Sequence, residues 1–585
     1  MKSSRAFLIT AFALGLAASA SAQGGGPGGG GGGFGQGGQF PRGGRTGPRD
    51  ATPQPTGTAV LRGRIVGGDS GGPLRHALVR LSGVDMREGK MATTDEQGKW
   101  EIRDLPAGRF ELTASKAGYV SLHYGQRRPF EQGRPLELAD AQVVENVNFN
   151  LPKGSVITGR INDEFGDPVA EVMVMALRYR YFNGQRRLVP AGRLGQTDDA
   201  GNFRIFGLAP ADYYLSATLR EGMFGENDAT NRSGYAPTYY PGTGSSQQAE
   251  RVTVGLGGEV SGVSFALLPV RTAKISGTAV DSQGKPMTGA FVTLMESSGG
   301  GEGTFMMSFG GGARVGEGGH FTLNNVSPGD YTIGAREMGP GREGDTETAE
   351  TRITVGGEDI AGVSLIGTKG SIIRGSVSFE TQPTSGSVLP SSTTVMAIAK
   401  SPDASPMFRF RGGARDSLNE DWTFEVRAMT APVLLRTMRT PPGYVLKGVF
   451  MGAQDITDTG LNFKPGETIT GVQVVLTTKT TSVNGTVTDE KGQPVTDYAA
   501  VIFAEDGVKW GFMSRYITMA RPDQQGAFQA KQLPPGRYLA IALDYIEDGE
   551  QTNPETLERL RGSATSFDLG DGDQKALALK VVKAY

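Results

Sequence analysis

The chain has 585 residues, no cysteine, and 59 Lys and Arg against 61 Asp and Glu. This length is enough for roughly three to six domains of ~100–200 residues each. The lack of cysteine excludes disulfides, thiolate catalysis and thiolate metal sites, and the balanced charge gives no sign of a nucleic-acid-binding protein.

Residues 1–22 have the pattern of a secretory signal peptide. Lys2 and Arg5 form a basic start, residues 6–18 form a short apolar run, and residues 20–22 read Ala-Ser-Ala, a typical cleavage site. The run is too short to cross a membrane, and no later stretch reaches about 20 apolar residues. We therefore expect a secreted protein, in the periplasm, at the cell surface or in the medium, without a transmembrane segment.

Residues 23–58 are rich in glycine and begin QGGGPGGGGGGFGQGGQF. Such a segment has almost nothing to bury, so we predict a disordered linker.

A motif then recurs four times without gaps. Each copy starts at a glycine and carries an aromatic residue at +2, an apolar one at +7, an aromatic one at +12 and an alanine at +16. The four starting glycines are Gly98, Gly201, Gly319 and Gly526. Alternation of polar and apolar residues on both sides of a central turn predicts two antiparallel strands with one buried face.

A second motif lies upstream of the first. A glycine is followed by Asp at +4, Gly at +7 and Pro at +9, as in 159–168, 277–286 and 485–494. Asp caps a turn, Gly allows positive φ, and Pro needs no donor there, so a strand, a turn and a strand are predicted. The only stretch with helix signals is NPETLERLRG (553–562), which has an Asn cap, Pro at the first position and a terminal Gly.

These units recur about every 100 residues, with very short linkers. We predict an all-β chain, a tandem array of about five Greek-key, seven-strand β-sandwiches of the prealbumin-like or Ig-like kind, packed end to end as a rod. The fourth is degenerate, because Trp422 replaces the motif glycine. The predicted ranges are sandwich 1, 59–153; sandwich 2, 154–270; sandwich 3, 271–369; sandwich 4, 370–479; and sandwich 5, 480–585.

Together the two motifs resemble the carboxypeptidase regulatory-like domain. The resemblance covers nearly all of 59–585, is strong for sandwiches 1, 2, 3 and 5, and is weak for sandwich 4. It implies a transthyretin-like (prealbumin-like) sandwich, also grouped as a carbohydrate-binding-like fold, and a non-catalytic accessory role. It does not imply a ligand. The tandem arrangement after a signal peptide is similar to secreted repeat proteins of soil bacteria such as acidobacteria.

Residues 64–79 read RIVGGDSGGPLRHALV, which is similar to the sequence around a trypsin-type nucleophile. That chemistry needs a His and an Asp before the Ser in the chain, and no His precedes Ser70. In the repeat alignment GGDSGG occupies the first turn of sandwich 1. We therefore predict a turn.

Other catalytic and metal sites are also not predicted. A zinc carboxypeptidase site needs H-x-x-E, and none of His76, His123 and His320 has Glu at +3. The Asp-rich turns at 197–202 and 568–574 lack the calcium-loop spacing. We expect no enzyme activity, no cofactor and no bound metal.

The remaining binding signal is a set of aromatic and arginine residues in loops and a long hairpin centred on Asn183-Gly184. Flat rings stack on sugar faces, and Arg bonds hydroxyl or anionic groups, but rings of this kind also join domains. The candidate ligand-binding residues are Tyr124, Arg127, Arg178, Tyr179, Arg180, Tyr181, Tyr239, Tyr240, Trp510 and Tyr516.

The sequence thus favours a secreted, non-catalytic binding or scaffold protein, with polysaccharide or envelope proteins as partners and carbohydrate as the leading ligand class. The alternative is a purely structural or protein–protein adhesion rod. The sequence does not predict an oligomeric state.

Overall fold

The computed structural model is all-β, with 42 strands and one α-helix among the residues that it describes. The described residues are 57–83, 86, 89–182, 184–219, 233–296, 309–337, 347–384, 388–400, 418–428 and 431–584. The predicted signal peptide and residues 23–56 of the predicted linker lie outside them. Five large apolar clusters lie one within each predicted sandwich range. The domain boundaries themselves stay a prediction.

Sandwich 1 places its core between two sheets, of order β4-β1-β8 and β3-β2-β5-β6, with β9 added to β1 and β7 to β5. Its strands are β1 (Ala59–Gly67), β2 (Leu78–Gly83), β3 (Lys90–Thr93), β4 (Lys99–Leu105), β5 (Gly108–Ser115), β6 (Leu122–His123), β7 (Leu136–Leu138), β8 (Val143–Val144) and β9 (Phe149–Leu151).

The protease-like stretch is the turn that the repeats predict. It lies between β1 and β2, where the N–H of Gly67 donates to the Gly72 carbonyl at 2.9 Å and Val66 pairs with Pro73. The Ser70 hydroxyl accepts the N–H of Gly72 at 3.3 Å. Ser70 is therefore a turn residue, bonded within its own loop.

Sandwich 2 repeats this plan, with sheets β13-β10-β18 and β12-β11-β14-β16, β19 on β10 and β17 on β14, and a small β15-β20 sheet. Its strands are β10 (Ser155–Asn162), β11 (Val172–Phe182), β12 (Gln185–Gln196), β13 (Asn202–Leu208), β14 (Ala211–Leu219), β15 (Ser233–Ala236), β16 (Thr238–Tyr239), β17 (Val252–Val254), β18 (Glu259–Val260), β19 (Phe265–Ala266) and β20 (Leu268–Arg271).

Sandwich 3 has the plainest form of the fold, with seven strands in sheets of order β24-β21-β27 and β23-β22-β25-β26. Its strands are β21 (Ala273–Val280), β22 (Phe291–Glu296), β23 (Phe309–Arg314), β24 (His320–Val326), β25 (Gly329–Arg336), β26 (Thr348–Val355) and β27 (Ile360–Ile366).

Sandwich 4 distributes its strands differently. After β31 the chain crosses to the other sheet, where β32 pairs with β34, so the described sheets have five strands (β30-β28-β34-β32-β33) and two (β29-β31). Its strands are β28 (Ser371–Phe379), β29 (Thr394–Ala399), β30 (Thr423–Ala428), β31 (Val433–Arg439), β32 (Val445–Met451), β33 (Gln454–Asp455) and β34 (Thr468–Thr477).

In sandwich 5 the last strand pairs with both β35 and β40, which joins the two sheets along one side. The predicted helix is confirmed, and its cap is Asn553, whose side chain accepts the N–H of Glu555 at 3.0 Å. The elements are β35 (Ser482–Thr488), β36 (Pro494–Val495), β37 (Ala499–Ala504), β38 (Ile517–Ala520), β39 (Ala527–Lys531), β40 (Gly536–Leu543), α1 (Pro554–Arg561), β41 (Thr565–Leu569) and β42 (Gln574–Val582).

One glycine in the first strand of each sandwich explains the spacing of the repeats. The first strand runs antiparallel to the strand that follows the motif turn and parallel to the last strand. At this position an aromatic ring and a carbonyl in or just before the last strand leave no room for a side chain. A Cβ there would lie 1.8–2.4 Å from that carbonyl oxygen. The five glycines are Gly63, Gly159, Gly277, Gly375 and Gly485.

Candidate functional site at the junction of sandwiches 1, 2 and 5

The long hairpin β11–β12 carries four of the predicted binding residues. Its strands stay paired to the tip, where Phe182 faces Gln185. Because side chains alternate along a strand, Arg178 and Arg180 point to one side and Tyr179 to the other. The Tyr179 ring packs edge-on against Tyr214 at 5.4 Å and lies under the Arg186 guanidinium at 3.9 Å.

Arg178 connects three sandwiches. It is a buried residue, 9% exposed, that donates to the Glu547 carboxylate of sandwich 5. Its guanidinium also lies 3.5 Å from the centroid of the Phe130 ring of sandwich 1. Burial raises the pKa of Glu547, and the Arg178 charge opposes this without cancelling it.

The hairpin tip meets sandwich 5 through its backbone as well. Arg180 donates to the carbonyl of Asp548 at 3.1 Å and to its carboxylate, and the N–H of Gly184 donates to the Thr552 hydroxyl at 3.0 Å. A Cβ on Gly549 would lie 2.1 Å from the Tyr181 carbonyl oxygen, and its φ of 102° also favours glycine. The two backbones therefore meet at a glycine.

The loop of sandwich 1 that follows β6 forms the third side of this junction. Arg128 donates to the Asp544 carbonyl at 2.8 Å, and the Tyr545 hydroxyl donates to the Pro129 carbonyl at 2.9 Å. The N–H of Asp548 donates to the Phe130 carbonyl, also at 2.9 Å. These contacts join loop 127–134 of sandwich 1 to loop 544–553 of sandwich 5.

A buried ion pair lies beside these loops. The Arg521 guanidinium of sandwich 5 donates to the Glu131 carboxylate of sandwich 1 at 2.6 Å, and the two side chains are 1% and 2% exposed. Arg521 also donates to Asp497 at 2.8 Å, and the second Glu131 oxygen accepts the backbone N–H groups of Arg127 and Arg128. Charges this deeply buried are tolerated only when paired and hydrogen-bonded.

A second charged contact joins sandwiches 4 and 5. The Asp458 carboxylate accepts two bonds from Arg515, at 3.0 and 2.8 Å, one from the Tyr516 hydroxyl at 3.1 Å and one from Arg436 at 3.0 Å. Burial favours a higher pKa for Asp458, but the hydrogen bonds and charges of both arginines outweigh it and hold the pKa below its usual value.

Glu380 forms a third charged link, at the boundary of sandwiches 4 and 5. Its carboxylate accepts bonds from Lys447, from the Thr477 hydroxyl at 2.6 Å and from Lys479 at 3.1 Å, and Lys479 also lies 3.5 Å from Asp571. These hydrogen bonds, chiefly that from Lys447, lower the pKa of Glu380 from its usual 4.5 to about 2.

We expect this link to be lost in acid. Because the folded-state pKa of Glu380 is depressed, its contribution to stability is fully present above pH 4.5 and is lost as the pH falls through 2. Hydrogen exchange of β28 and β34 in Glu380→Gln should therefore be faster than in the wild type above about pH 5, and the difference should shrink as the pH falls and vanish below pH 2. Glu420→Gln, on an exposed turn of the same sandwich, is the control. A difference that persists in strong acid would contradict the assignment.

The other predicted binding residues are mostly packed into the sandwiches. Trp510 is 5% exposed, and its indole donates to the Ala504 carbonyl at 2.8 Å; Tyr239 is 9% exposed. Tyr240 is edge-on to Phe265 at 5.8 Å, and Tyr124 is edge-on to Phe149 at 6.3 Å. These positions lie in separate places, and the structure does not bring all ten together.

The acidic partners in the junction were not predicted. Glu131, Glu547 and Asp548 each accept a hydrogen bond from an arginine of another sandwich. The sequence signal that points to these contacts is charge complementarity. The segment DYIEDGE (544–550) is acidic, whereas the hairpin and loop 127–134 are rich in arginine.

The arrangement of the sandwiches in space also differs from the predicted end-to-end rod. An end-to-end array would leave sandwich 5 in contact with sandwich 4 alone, whereas it contacts sandwiches 1, 2 and 4. The rod prediction is wrong because it considered only neighbours in the sequence.

Among the described residues there is no group of His, Cys, Asp and Glu that could hold a metal ion, and no helix there is long and apolar enough to cross a membrane.

These features define a multi-domain β-sandwich protein whose parts are joined by charged contacts. The model of the carboxypeptidase regulatory-like domain matches residues 60–152. This match confirms the resemblance that the motifs predicted, for sandwich 1. No protein among the curated sequences matches the chain.

The solved structures that match parts of the chain include three bacterial proteins. The minor pilin of Streptococcus agalactiae is 17% identical, with a TM-score of 0.21, and covers 37% of this chain and 98% of its own. The major pilin subunit of Bacillus cereus is 12% identical, with a TM-score of 0.13, and covers 53% and 99%. A putative carbohydrate-binding protein of Pseudomonas aeruginosa is 16% identical, with a TM-score of 0.13, and covers 17% and 89%. Such low TM-scores say nothing about what this chain binds.

Proposed function

We propose that this protein is a secreted, non-catalytic scaffold for adhesion at the cell envelope. In this proposal, sandwich 5 holds sandwiches 1 and 2 together. The observation that carries the proposal is the three-sandwich junction, where Arg178 contacts both Glu547 and Phe130. Secretion rests on the pattern of residues 1–22. Envelope proteins or polysaccharides are the proposed partners.

The junction favours a scaffold over glycan binding by the same residues. Stacking on a sugar needs an open ring face and arginines with solvent-exposed donors. Trp510 and Tyr239 are buried, and Arg178 and Arg180 bond sandwich 5. Holding sandwiches in fixed positions is what a scaffold requires, and these side chains serve that purpose.

Removing both junction arginines tests the proposal. In Arg178→Ala/Arg180→Ala, the carboxylates of Glu547 and Asp548 lose their partners, so we expect the hairpin to separate from sandwich 5. Limited proteolysis should cleave loop 544–553 at least about tenfold faster, since a tenfold change corresponds to only about 1.4 kcal/mol. In cells that make the protein, the amount of intact variant in the envelope fraction should fall.

The matched control is Arg160→Ala/Arg204→Ala, two exposed arginines on the other sheet of sandwich 2. It should leave both proteolysis and envelope retention unchanged. If the junction variant is cleaved faster but is retained as well as the wild type, the junction is structural only and the scaffold proposal fails. Unchanged proteolysis would show that the junction does not hold the sandwiches together.

A further inference from the structure

Sandwich 4 carries a groove on the outer face of its five-stranded sheet. The groove has a volume of about 620 Å³, within the usual range for ligand sites. It crosses β28, β30 and β34 and reaches the turn between β32 and β33. Its side chains come from β28, β30, β34 and the turn before β30, and the switch of β32 adds the turn at Gly452 to one end.

Backbone makes the floor of this groove. Gly375, Phe424 and Val472 line it but face the core, where a Cβ on Gly375 would lie 2.2 Å from the Val472 carbonyl oxygen and 2.5 Å from the buried Phe424 ring. Gly452 and Gly471 have φ of 60° and 79°, and a Cβ on either would point into open space. The floor is thus free of side chains for reasons of backbone geometry.

Long polar side chains make the rim, and the neighbouring sandwich lacks them. Arg374 pairs across the strands with Glu425, and the matching residues of sandwich 3 are Ser276 and Thr322. Gln473 corresponds in the same way to Ser364. The remaining polar rim residues of sandwich 4 are Ser376, Asn419 and Thr423.

The rim is held in place by its own hydrogen bonds. The Asn419 amide donates to the Thr423 hydroxyl at 2.9 Å, in the turn where Trp422 has a φ of 63° and the four other sandwiches have glycine. The Trp422 ring packs edge-on against Phe379 at 4.7 Å, which fixes this turn. A non-glycine residue at positive φ costs energy and is kept where the surroundings require it.

The rim offers both donors and acceptors but no net charge. Arg374 donates to Glu425 at 2.9 Å, which balances the single cation with the single carboxylate. The amides of Asn419 and Gln473 and the hydroxyls of Ser376 and Thr423 are neutral and bond in both directions. This set matches a ligand with many hydroxyl groups and no charge.

We propose that this groove binds a neutral oligosaccharide. The site is separate from the junction of sandwiches 1, 2 and 5 and goes beyond the scaffold function. Its hydrogen-bonding side chains contact the sugar hydroxyls, and its backbone floor lets the sugar ring lie directly on the sheet.

Calorimetric titration of the chain without residues 1–22 tests this with cellohexaose, maltohexaose, xylohexaose and mannohexaose. At least one of them should bind, and Arg374→Ala/Gln473→Ala should weaken it about tenfold or more, because two hydrogen-bonding groups are lost. Thr322→Ala/Ser364→Ala, at the matching positions of sandwich 3, should bind like the wild type. Gln473→Ala alone, which leaves the ion pair in place, should give a smaller loss.

Three results would overturn the proposal. None of the four hexasaccharides binds; the groove variants, with unchanged circular dichroism, bind as well as the wild type; or the sandwich 3 control loses as much affinity as they do. Tighter binding of an acidic hexasaccharide such as hexagalacturonate would also exclude a site for neutral sugars.

Discussion

Replacing Arg521 by methionine is expected to destabilise the contact between sandwiches 1 and 5 by about 3–5 kcal/mol, because it leaves Glu131 charged, buried and without its partner. The two side chains are only 1% and 2% exposed, so water cannot take the place of the guanidinium. Native-state hydrogen exchange can measure the loss, since the amides of Arg127 and Arg128 donate to Glu131 and are released when the contact opens.

A double variant separates the lost charge from lost packing. Arg521→Met/Glu131→Gln removes both buried charges but keeps an oxygen that accepts the two backbone N–H groups. It should recover most of the stability that the single variant loses. A single variant that costs less than about 1 kcal/mol would mean that the pair is open to solvent.

Gly159→Ala is expected to destabilise sandwich 2 by about 3 kcal/mol or more, the cost of overpacking at a rigid site. The new Cβ would lie 1.8 Å from the Val263 carbonyl oxygen and 2.9 Å from the Phe203 ring. The first of these is backbone that cannot move without breaking a strand pairing. Calorimetry should show a lower midpoint for the sandwich 2 transition.

Gly255→Ala is the matched control in the same sandwich. Its Cβ meets nothing within 4 Å, and its φ is not in the left-handed region. The substitution should be neutral or stabilising by up to about 1 kcal/mol, since alanine restricts the unfolded chain. Equal losses for the two variants would contradict the steric explanation.

The repeats predicted most of the fold because their key residues act locally. Asp198 accepts the N–H groups of Ala200 and Asn202 within its own turn, and the glycine at Gly201 has a φ of 74°. The cap at Asn553 is equally local. Residues whose hydrogen bonds complete a turn or a helix cap within four positions leave a pattern that a sequence comparison can detect.

The junction and the altered sheet of sandwich 4 could not be predicted in this way. Arg521 and Glu131 are 390 positions apart, and nothing near either residue identifies the other. The crossing of β32 depends on which sheet edge is free after β31, which is a property of the assembled sandwich. The burial of loop aromatics such as Trp510 is hidden from the sequence for a similar reason, because packing against α1 and the neighbouring strands decides it.

The glycine contact between the hairpin and sandwich 5 has a consequence for synthesis. Sandwiches 1 and 2 leave the ribosome long before Gly549 and Arg521. The hairpin and loop 127–134 therefore have no partner in sandwich 5 while the intervening chain is made. The junction can therefore close only after nearly the whole chain has been made.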